Sequence, residues 1–249
     1  MIDIHSHILP GMDDGAQDLY DTLEMLDMAA RNGVKAIIAT PHCNIPRGFG
    51  NYLDEEYKAC IQMVREVVRE EGIPIRVLPG AEALGTPDLP DYLKAGKIMT
   101  LNNSRYLLTE FLFDEDPEFV NRILEEIREL NLIPVIAHPE RYKFVQRDPN
   151  LVYEWRAKGY PTQINKGSVR GKFGNRAKET AMLLLDHNLV SVVASDAHSP
   201  RFRTTNMTRA YRELLENYPE QYVDLLFNEN PRRICQNEPL LALKAMRVE

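Results

Sequence analysis

Apolar, β-branched runs alternate with amphipathic helical patterns along this 249-residue chain, and that alternation restricts the fold more than any other feature. The runs fall at residues 1–4, 35–39, 75–78, 106–108, 133–137, 162–164 and 190–194. Between them, apolar residues recur at helical spacing. Leu19, Leu23, Leu26 and Ala30 share one face of 18–32, and Tyr57, Cys60, Ile61, Val64 and Val68 share one face of 53–71, with Gly33 and Gly72 as C-terminal stops. Asp116 and Pro117 supply the N-cap and first-turn proline of a helix that buries Val120, Ile123, Leu124 and Ile127. Further helices are predicted over 151–158, 175–188, 207–217 and 220–228. Strands alternating with helices make parallel βα units. Seven such strands in a chain of this length favour a barrel over an open sheet, although periodicity alone leaves closure open. No repeat, low-complexity linker or composition break marks a second domain, so residues 1–249 are expected to form one domain. Loops rich in glycine and proline at 46–51 and 85–91 are expected to fold over a site.

The polar residues collect where the strands end. The first run leads into His5-Ser6-His7, the second into Thr40-Pro41-His42, and the third into Pro79-Gly80-Ala81-Glu82. The fourth ends in Thr109-Glu110, the fifth in His138-Pro139-Glu140-Arg141, and the seventh in Ser195-Asp196-Ala197-His198. Carboxyl ends of parallel strands form the face on which α/β barrels build active sites. Five of the six histidines and three carboxylates at one rim point to metal. In His5-x-His7 and Asp196-x-His198, alternate residues of an extended chain face the same side and can reach one ion. Neutral imidazole with carboxylate suits manganese, iron or zinc. Two or more such ions bridged by a carboxylate form the usual clamp for hydrolysis at phosphorus. Each residue alone has a plainer explanation. Asp13-Asp14-Gly15 would be a turn or a helix N-cap, Glu110 a solvated loop residue, and His42 a buried histidine bonded to backbone. Their coincidence at one rim has no such explanation. His187, near a helix end, is read as structural.

Cysteine-dependent phosphatases require Cys-x5-Arg, and six residues beyond Cys43, Cys60 and Cys235 stand Phe49, Glu66 and Leu241. That mechanism is absent, and Cys43 is read as a packing residue. With no CxxC pair, the three cysteines make no disulfide framework or thiolate zinc site. No GxxxxGK[ST] or GxGxxG follows a strand, so a nucleotide cradle is not supported. Arg141 and Arg203 leave the same rim, where a guanidinium can grip a phosphate dianion and stabilise developing charge; Arg47 is a weaker candidate. Thirty basic against 37 acidic side chains give a net charge of −7, which disfavours nucleic acid and anionic membranes as partners. No apolar run approaches the ~20 residues of a bilayer span. The first ten residues also lack the basic start and apolar stretch of a signal peptide, so a cytoplasmic location is expected.

Taken together, residues 3–15, Ala39-Thr40-Pro41-His42, Gly80-Ala81-Glu82, His138-Pro139-Glu140-Arg141-Tyr142 and Ala194-Ser195-Asp196-Ala197-His198 are similar to a known pattern. The set resembles the polymerase and histidinol phosphatase (PHP) superfamily over residues 1–236. More closely, it resembles the manganese-dependent protein tyrosine phosphatases of bacterial capsule and exopolysaccharide clusters. The resemblance implies a distorted seven-stranded (β/α) barrel holding three metal ions, manganese first, with iron or zinc as alternatives. Carried over by motif, His5, His7, Glu82 and Asp196 would hold one ion. Glu82 would bridge to a second ion completed by Glu110 and His138, and Asp14, His42 and His198 would hold a third. Arg141 and Arg203 match the arginines that grip phosphate. The implied substrate is phosphotyrosine on a bacterial tyrosine kinase, hydrolysed directly by a metal-bound hydroxide without a phosphoenzyme. A phosphatase of a small molecule such as histidinol phosphate is the alternative. An amidohydrolase would carry a modified lysine on the fourth strand, where Glu110 stands. Two departures are visible: Lys166 occupies a position where a small neutral residue is expected, and the tail beyond Pro239 matches nothing.

Overall fold

A computed structural model describes residues 1–249. Its strands are β1 (Ile2–Asp3), β2 (Ala36–Ala39), β3 (His42–Cys43), β4 (Arg76–Pro79), β5 (Glu82–Leu84), β6 (Tyr106–Glu110), β7 (Ile133–Ala137), β8 (Thr162–Asn165) and β9 (Val192–Ala194). All pairings are parallel, in one sheet ordered β1-β2-β4 and another ordered β3-β5-β6-β7-β8-β9. The chain is therefore an α/β protein with parallel sheets, as the alternation requires.

Each of the seven apolar runs contains a strand, but β3 and β5 lie outside them. They continue the second and third runs past Pro41 and Gly80. Proline cannot donate to a ladder, and a Cβ at Gly80 would lie 2.6 Å from the Ile38 side chain. The ladder breaks at both points and resumes one step on, with His42 opposite Glu82. These two short strands carry polar site residues, so an apolar-run criterion overlooks them. Beyond β1 and β9, Ser6 and Ala197 form a further parallel bridge. There His7 N donates to Ala197 O at 2.8 Å and Asp196 N donates to His5 O at 2.9 Å.

The helices start where capping chemistry predicts. Asp18, Asp54 and Asp116 accept hydrogen bonds from the amides of Asp21, Tyr57 and Glu118, opening helices Leu19–Arg31, Glu55–Glu70 and Pro117–Glu129. Their buried faces (Met25 and Leu26; Ile61, Val64 and Val68; Val120, Ile123, Leu124 and Ile127) pack against one face of the strands. Full burial of each such side chain stabilises by about 1.5–3 kcal/mol. Successive strand residues point to opposite faces. Ile37, Leu107, Ile136 and Val193 thus join the helices, while Ile38, Leu108, Val135 and Val192 meet Ile4 in a second apolar cluster.

Two expectations are modified. The 85–91 loop gives way to a short helix, Leu89–Lys94, with a proline in its first turn. The 220–228 pattern divides into Glu220–Asp224 and a wider turn, Leu225–Glu229, running into Asn230–Cys235. The tail is irregular but anchored: Met246 N donates to His187 O and Val248 N to Asn150 Oδ1, both at 2.9 Å.

Buried Tyr57 links a helix to the rim. Its hydroxyl accepts from Gly80 N and donates to Gly80 O, both at 2.9 Å, at the break that delivers Glu82. Tyr57→Phe leaves a buried amide unpaired and is expected to cost about 1–3 kcal/mol. Urea denaturation of the metal-free protein measures this, and an unchanged midpoint would show that Gly80 is held by other contacts.

Candidate functional site

His5 and His7 lie in extended chain just past β1, both fully buried. A Cβ at Gly15 would sit 2.2 Å from His7 O, so only glycine lets the 13–15 turn close over this segment. His5 Nε2 and His7 Nε2 face each other at 3.2 Å. Glu82 Oε2 lies 3.1 and 3.2 Å from these two nitrogens, and Asp196 Oδ1 lies 3.5 Å from each. Atoms bound to one ion at roughly 2.0–2.2 Å stand about 3–3.5 Å from one another. The four side chains are therefore spaced as the donors of a single cation.

The remaining rim residues extend the cage. His138 Nε2 is 2.9 Å from Glu82 Oε1 and 3.9 Å from Glu110 Oε2. His42 Nδ1 is 2.9 Å from Glu110 Oε1 and 3.2 Å from Glu82 Oε2. On the far side of that ring, His42 Nε2 and His198 Nε2 each lie 3.5 Å from Asp14 Oδ1. All nine metal-ligand candidates thus fall into overlapping groups able to hold an ion: His5–His7–Asp196, His5–Glu82–His138, His42–Glu82–Glu110 and His7–Asp14–His42–His198. Glu82 belongs to two of these groups. The trio Glu82, Glu110 and His138 does not form a group of its own, since His138 sits with His5 and Glu110 with His42. His42 Nδ1, Glu82 Oε2 and His138 Nδ1 are buried without a hydrogen bond of proper geometry, close contacts notwithstanding. Such orphaned donor atoms, in an imidazole and carboxylate set, fit divalent transition metals.

The electrostatics match that fit. Burial, the largest single influence, would raise Glu82 and Asp196, but His5 together with His42 and His138 for Glu82, and with His7 and Arg203 for Asp196, outweighs it, and both are held well below the usual carboxylate range. Conversely, burial would lower His42, but Glu82 and Glu110 raise it to about 9. His198 has the opposite fate: burial and the adjacent His7 push it down to about 2, so it stays neutral and available as a donor. Burial drives the Cys43 thiol up to about 12, which removes it as a thiolate and agrees with a packing role.

Several supporting residues escaped the sequence reading. Asp13 Oδ2 takes His7 Nδ1 at 2.6 Å and the amide of His42 at 2.8 Å. Gln163 Oε1 lies 2.8 Å from His5 Nδ1, and Gln163 Nε2 donates to Asn165 Oδ1 at 2.8 Å. Asn165 in turn donates to Asp196 Oδ2 at 2.5 Å. Partners of this kind fix the tautomer and aim of a metal-binding imidazole. Asp13 had a signal in its adjacency to Asp14; Gln163 had none, being one residue inside the short strand Thr162–Asn165. Loop 46–51 does cover the site. Phe49 stacks on His42 at 6.2 Å, and Asn51 Nδ2 donates to the carbonyls of Met12 and His42 at 2.7 Å. Arg47 is exposed in this loop.

Both arginines meet at the rim. Arg203 Nη2 is 2.5 Å and Arg141 Nη1 3.5 Å from Asp196 Oδ2. The Arg141 guanidinium is held between the rings of Phe113 (4.6 Å) and Phe173 (4.4 Å). Lys166 is buried. Its ammonium donates to the carbonyls of Thr204 and Asn206, the latter at 2.8 Å, and so ties down the loop bearing Arg203. His138, Asp196 and Arg203 all hold left-handed backbone (φ 34, 48 and 49). Such conformations cost non-glycine residues of order 1–3 kcal/mol and gather at functional sites.

A cage of imidazoles and carboxylates at the carboxyl ends of parallel strands, flanked by two arginines, is the architecture of a metal-dependent hydrolase. The chain belongs to the family described as capsular polysaccharide synthesis, CpsB/CapC, whose profile matches residues 1–236. It is 36% identical over 243 residues to tyrosine-protein phosphatase YwqE of Bacillus subtilis, covering 96% of this chain and 93% of that protein. It is 34% identical to tyrosine-protein phosphatase CpsB of Streptococcus pneumoniae, covering 96% and 99%. Among solved structures, one from work on YwqE and CpsB as unique metal-dependent tyrosine phosphatases superposes with a TM-score of 0.92, at 35% identity and over 100% of both chains.

Two outcomes follow from this geometry. Asp13→Asn, which deprives His7 of its carboxylate, is expected to weaken divalent metal binding by roughly 10–100-fold. Competition with a chromophoric chelator measures it, and wild-type affinity would refute the orienting role. A metal must also displace the proton that His42 holds up to about pH 9 in the free cage. Loading near neutrality should therefore release protons, and affinity should climb with pH until about 9. Calorimetric heats that do not vary with buffer ionisation enthalpy would contradict this.

Proposed function

We propose that this chain is a metal-dependent protein tyrosine phosphatase of capsule or exopolysaccharide synthesis. Its substrate is phosphotyrosine on a partner protein, with a bacterial tyrosine kinase the partner that the family resemblance favours. The observation that carries this reading is the coincidence of the buried His/Asp/Glu cage with Arg141 and Arg203 in a chain closely related to named tyrosine phosphatases. Its place of action is the cytoplasm, consistent with the absence of any helix long and apolar enough to cross a membrane.

The metal set is read as three ions, manganese first. His5, His7, Glu82 and Asp196 hold one, Glu82 with Glu110 and His138 a second, and Asp14, His42 and His198 a third. The first and third sets are supported by the His5–His7–Asp196 and His7–Asp14–His42–His198 groups. For the second, which is not a group of its own, support is limited to Glu82 lying between His138 and the His42–Glu110 pair, and to the mixed nitrogen and oxygen donors. The scaffold is read as a single domain built on a distorted seven-stranded barrel. The nine strand segments follow seven lines of chain, because β3 and β5 continue β2 and β4. The Ser6–Ala197 bridge joins the first line to the last, and the second apolar cluster draws on β2, β6, β7 and β9.

When bound, the ions supply Lewis acidity that brings water toward deprotonation at neutral pH and offsets phosphoryl charge. The chain does the rest. Arg141 and Arg203 converge on one side of the cage and hold the phosphate's non-bridging oxygens. Phe113 and Phe173 keep the Arg141 guanidinium from swinging into solvent. A cleft of about 240 Å3 lined by Ile45, Leu84, Phe111, Leu112 and Phe113 lies against His42 and Glu110 and offers an apolar wall to the phenyl ring. The phenol leaves with modest help, its pKa being about 10. No cysteine nucleophile is needed.

Hydrolysis of phosphotyrosine peptides should require added manganese and largely disappear in His198→Ala. Arg203→Met should lower kcat roughly 10²–10³-fold. Phosphate release measured beside histidinol phosphate decides the substrate class: a preference for the small molecule, or full activity after metal stripping, overturns the reading.

A further inference from the structure

Next to Arg141 lies a cleft of about 340 Å3, of whose cationic side chains the proposed reaction uses only Arg203. Five cationic side chains line it (Lys166, Arg170, Lys172, Arg201 and Arg203) and no acidic residue does. In a chain with a net charge of −7, that concentration of one sign is local. Ion pairs account for only part of it: Arg170 reaches Glu213 at 3.5 Å and Arg203 reaches Asp196 at 2.5 Å. Arg203 Nε is buried without a hydrogen-bond partner. The ammonium of Lys166, also buried, is satisfied by backbone carbonyls and not by a carboxylate. Burial pulls that ammonium down to about 8, and an anion in the cleft would favour its charged form. Lys172 and Arg201 are exposed at the mouth, where Phe202 presents a ring that is 81% exposed.

We infer that this cleft is a second anion subsite, which holds an acidic side chain of the substrate protein close in sequence to its phosphotyrosine. The inference rests on the phosphatase reading and deepens it. Arg203 belongs to both the cleft and the phosphate site, so an occupant must sit beside the scissile phosphate. Extended chain advances about 3.3–3.6 Å per residue, which places the occupant within a few positions of the phosphotyrosine. A carboxylate there meets several converging cations and a guanidinium fork, the arrangement that recognises carboxylates best. The cleft thereby selects acidic sequence contexts.

The test uses the manganese-loaded full chain and matched phosphotyrosine peptides flanked by Glu or by isosteric Gln. KM is measured for each, with Kd for the non-hydrolysable phosphonomethyl analogues by fluorescence anisotropy. The Glu peptide should show KM and Kd roughly 3–30-fold lower than the Gln peptide, a preference that fades with salt. In Lys172→Gln with Arg201→Gln the ratio should fall toward one. In Arg69→Gln with Arg76→Gln, an equal charge change outside the cleft, the preference should persist. Turnover of both peptides without preference, or a preference surviving in the Lys172 and Arg201 variant, overturns the subsite alone. A gain confined to a peptide bearing a second phosphotyrosine in place of Glu overturns the carboxylate assignment. Failure to hydrolyse either peptide overturns the phosphatase reading, and the subsite with it.

Discussion

Two carboxylates with almost no access to water, Glu82 and Asp196, set the terms for the rest of this molecule. Removing a carboxylate from water costs several kcal/mol unless opposite charge and hydrogen bonds replace the solvent. Around Glu82 stand His5, His7, His42 and His138, and around Asp196 stand His5, His7, Arg203 and Asn165. Protons on the imidazoles can meet that demand, and divalent ions can meet it better because they also satisfy the facing nitrogens. The site is therefore a competition between protons and metal for one set of lone pairs. The raised pKa of His42 and the orphaned atoms of Glu82 and His138 are two expressions of that competition.

Meeting this demand shapes the backbone. The donors come from separate parallel strands and converge because those strands end at one face. At that face, His138, Asp196 and Arg203 adopt left-handed conformations that their side chains disfavour. Particular hydrogen bonds hold that face in place. Asp13 bonds to His7, the amide of His42 and the amide of Gly15, so one carboxylate sets the relation between three segments. Buried Glu140 accepts from Asn165 N at 2.9 Å and Ser168 Oγ at 2.6 Å, tying the turn that bears Arg141 to the end of β8.

The same economy governs the two arginines at the rim. Phe113 and Phe173 restrict Arg141, and Lys166 anchors the loop of Arg203, so both guanidiniums are held in place. A preorganised cation loses less freedom on binding an anion than one on a mobile stem. The family relationship and the site agree on this chemistry, and neither requires the buried thiol of Cys43.

Much of this was legible in the sequence. Period-2 and period-3.6 patterns located seven strand runs and the principal helices, because burial of one face imposes those periods locally. The histidines and carboxylates at the ends of the runs were legible for the same reason: a strand's end is a local property, and so is a residue type unsuited to a core. What lay outside the sequence were relations across the fold. Gln163 supports His5 from 158 positions away, and nothing near Gln163 in the chain distinguishes it from a strand filler. Lys166 looked like a misplaced residue until the 204–206 carbonyls closed over it. The grouping of His138 with His5, and of Glu110 with His42, depends on which side chains face each other across the rim. Spacing along one chain fixes direction and period but not those distances. The sequence by itself determined that side chains able to bind metal would meet at one end of a parallel α/β fold. Only the tertiary structure decided which of them share a centre, because that choice is made by separations of about 3 Å between atoms that no local pattern relates.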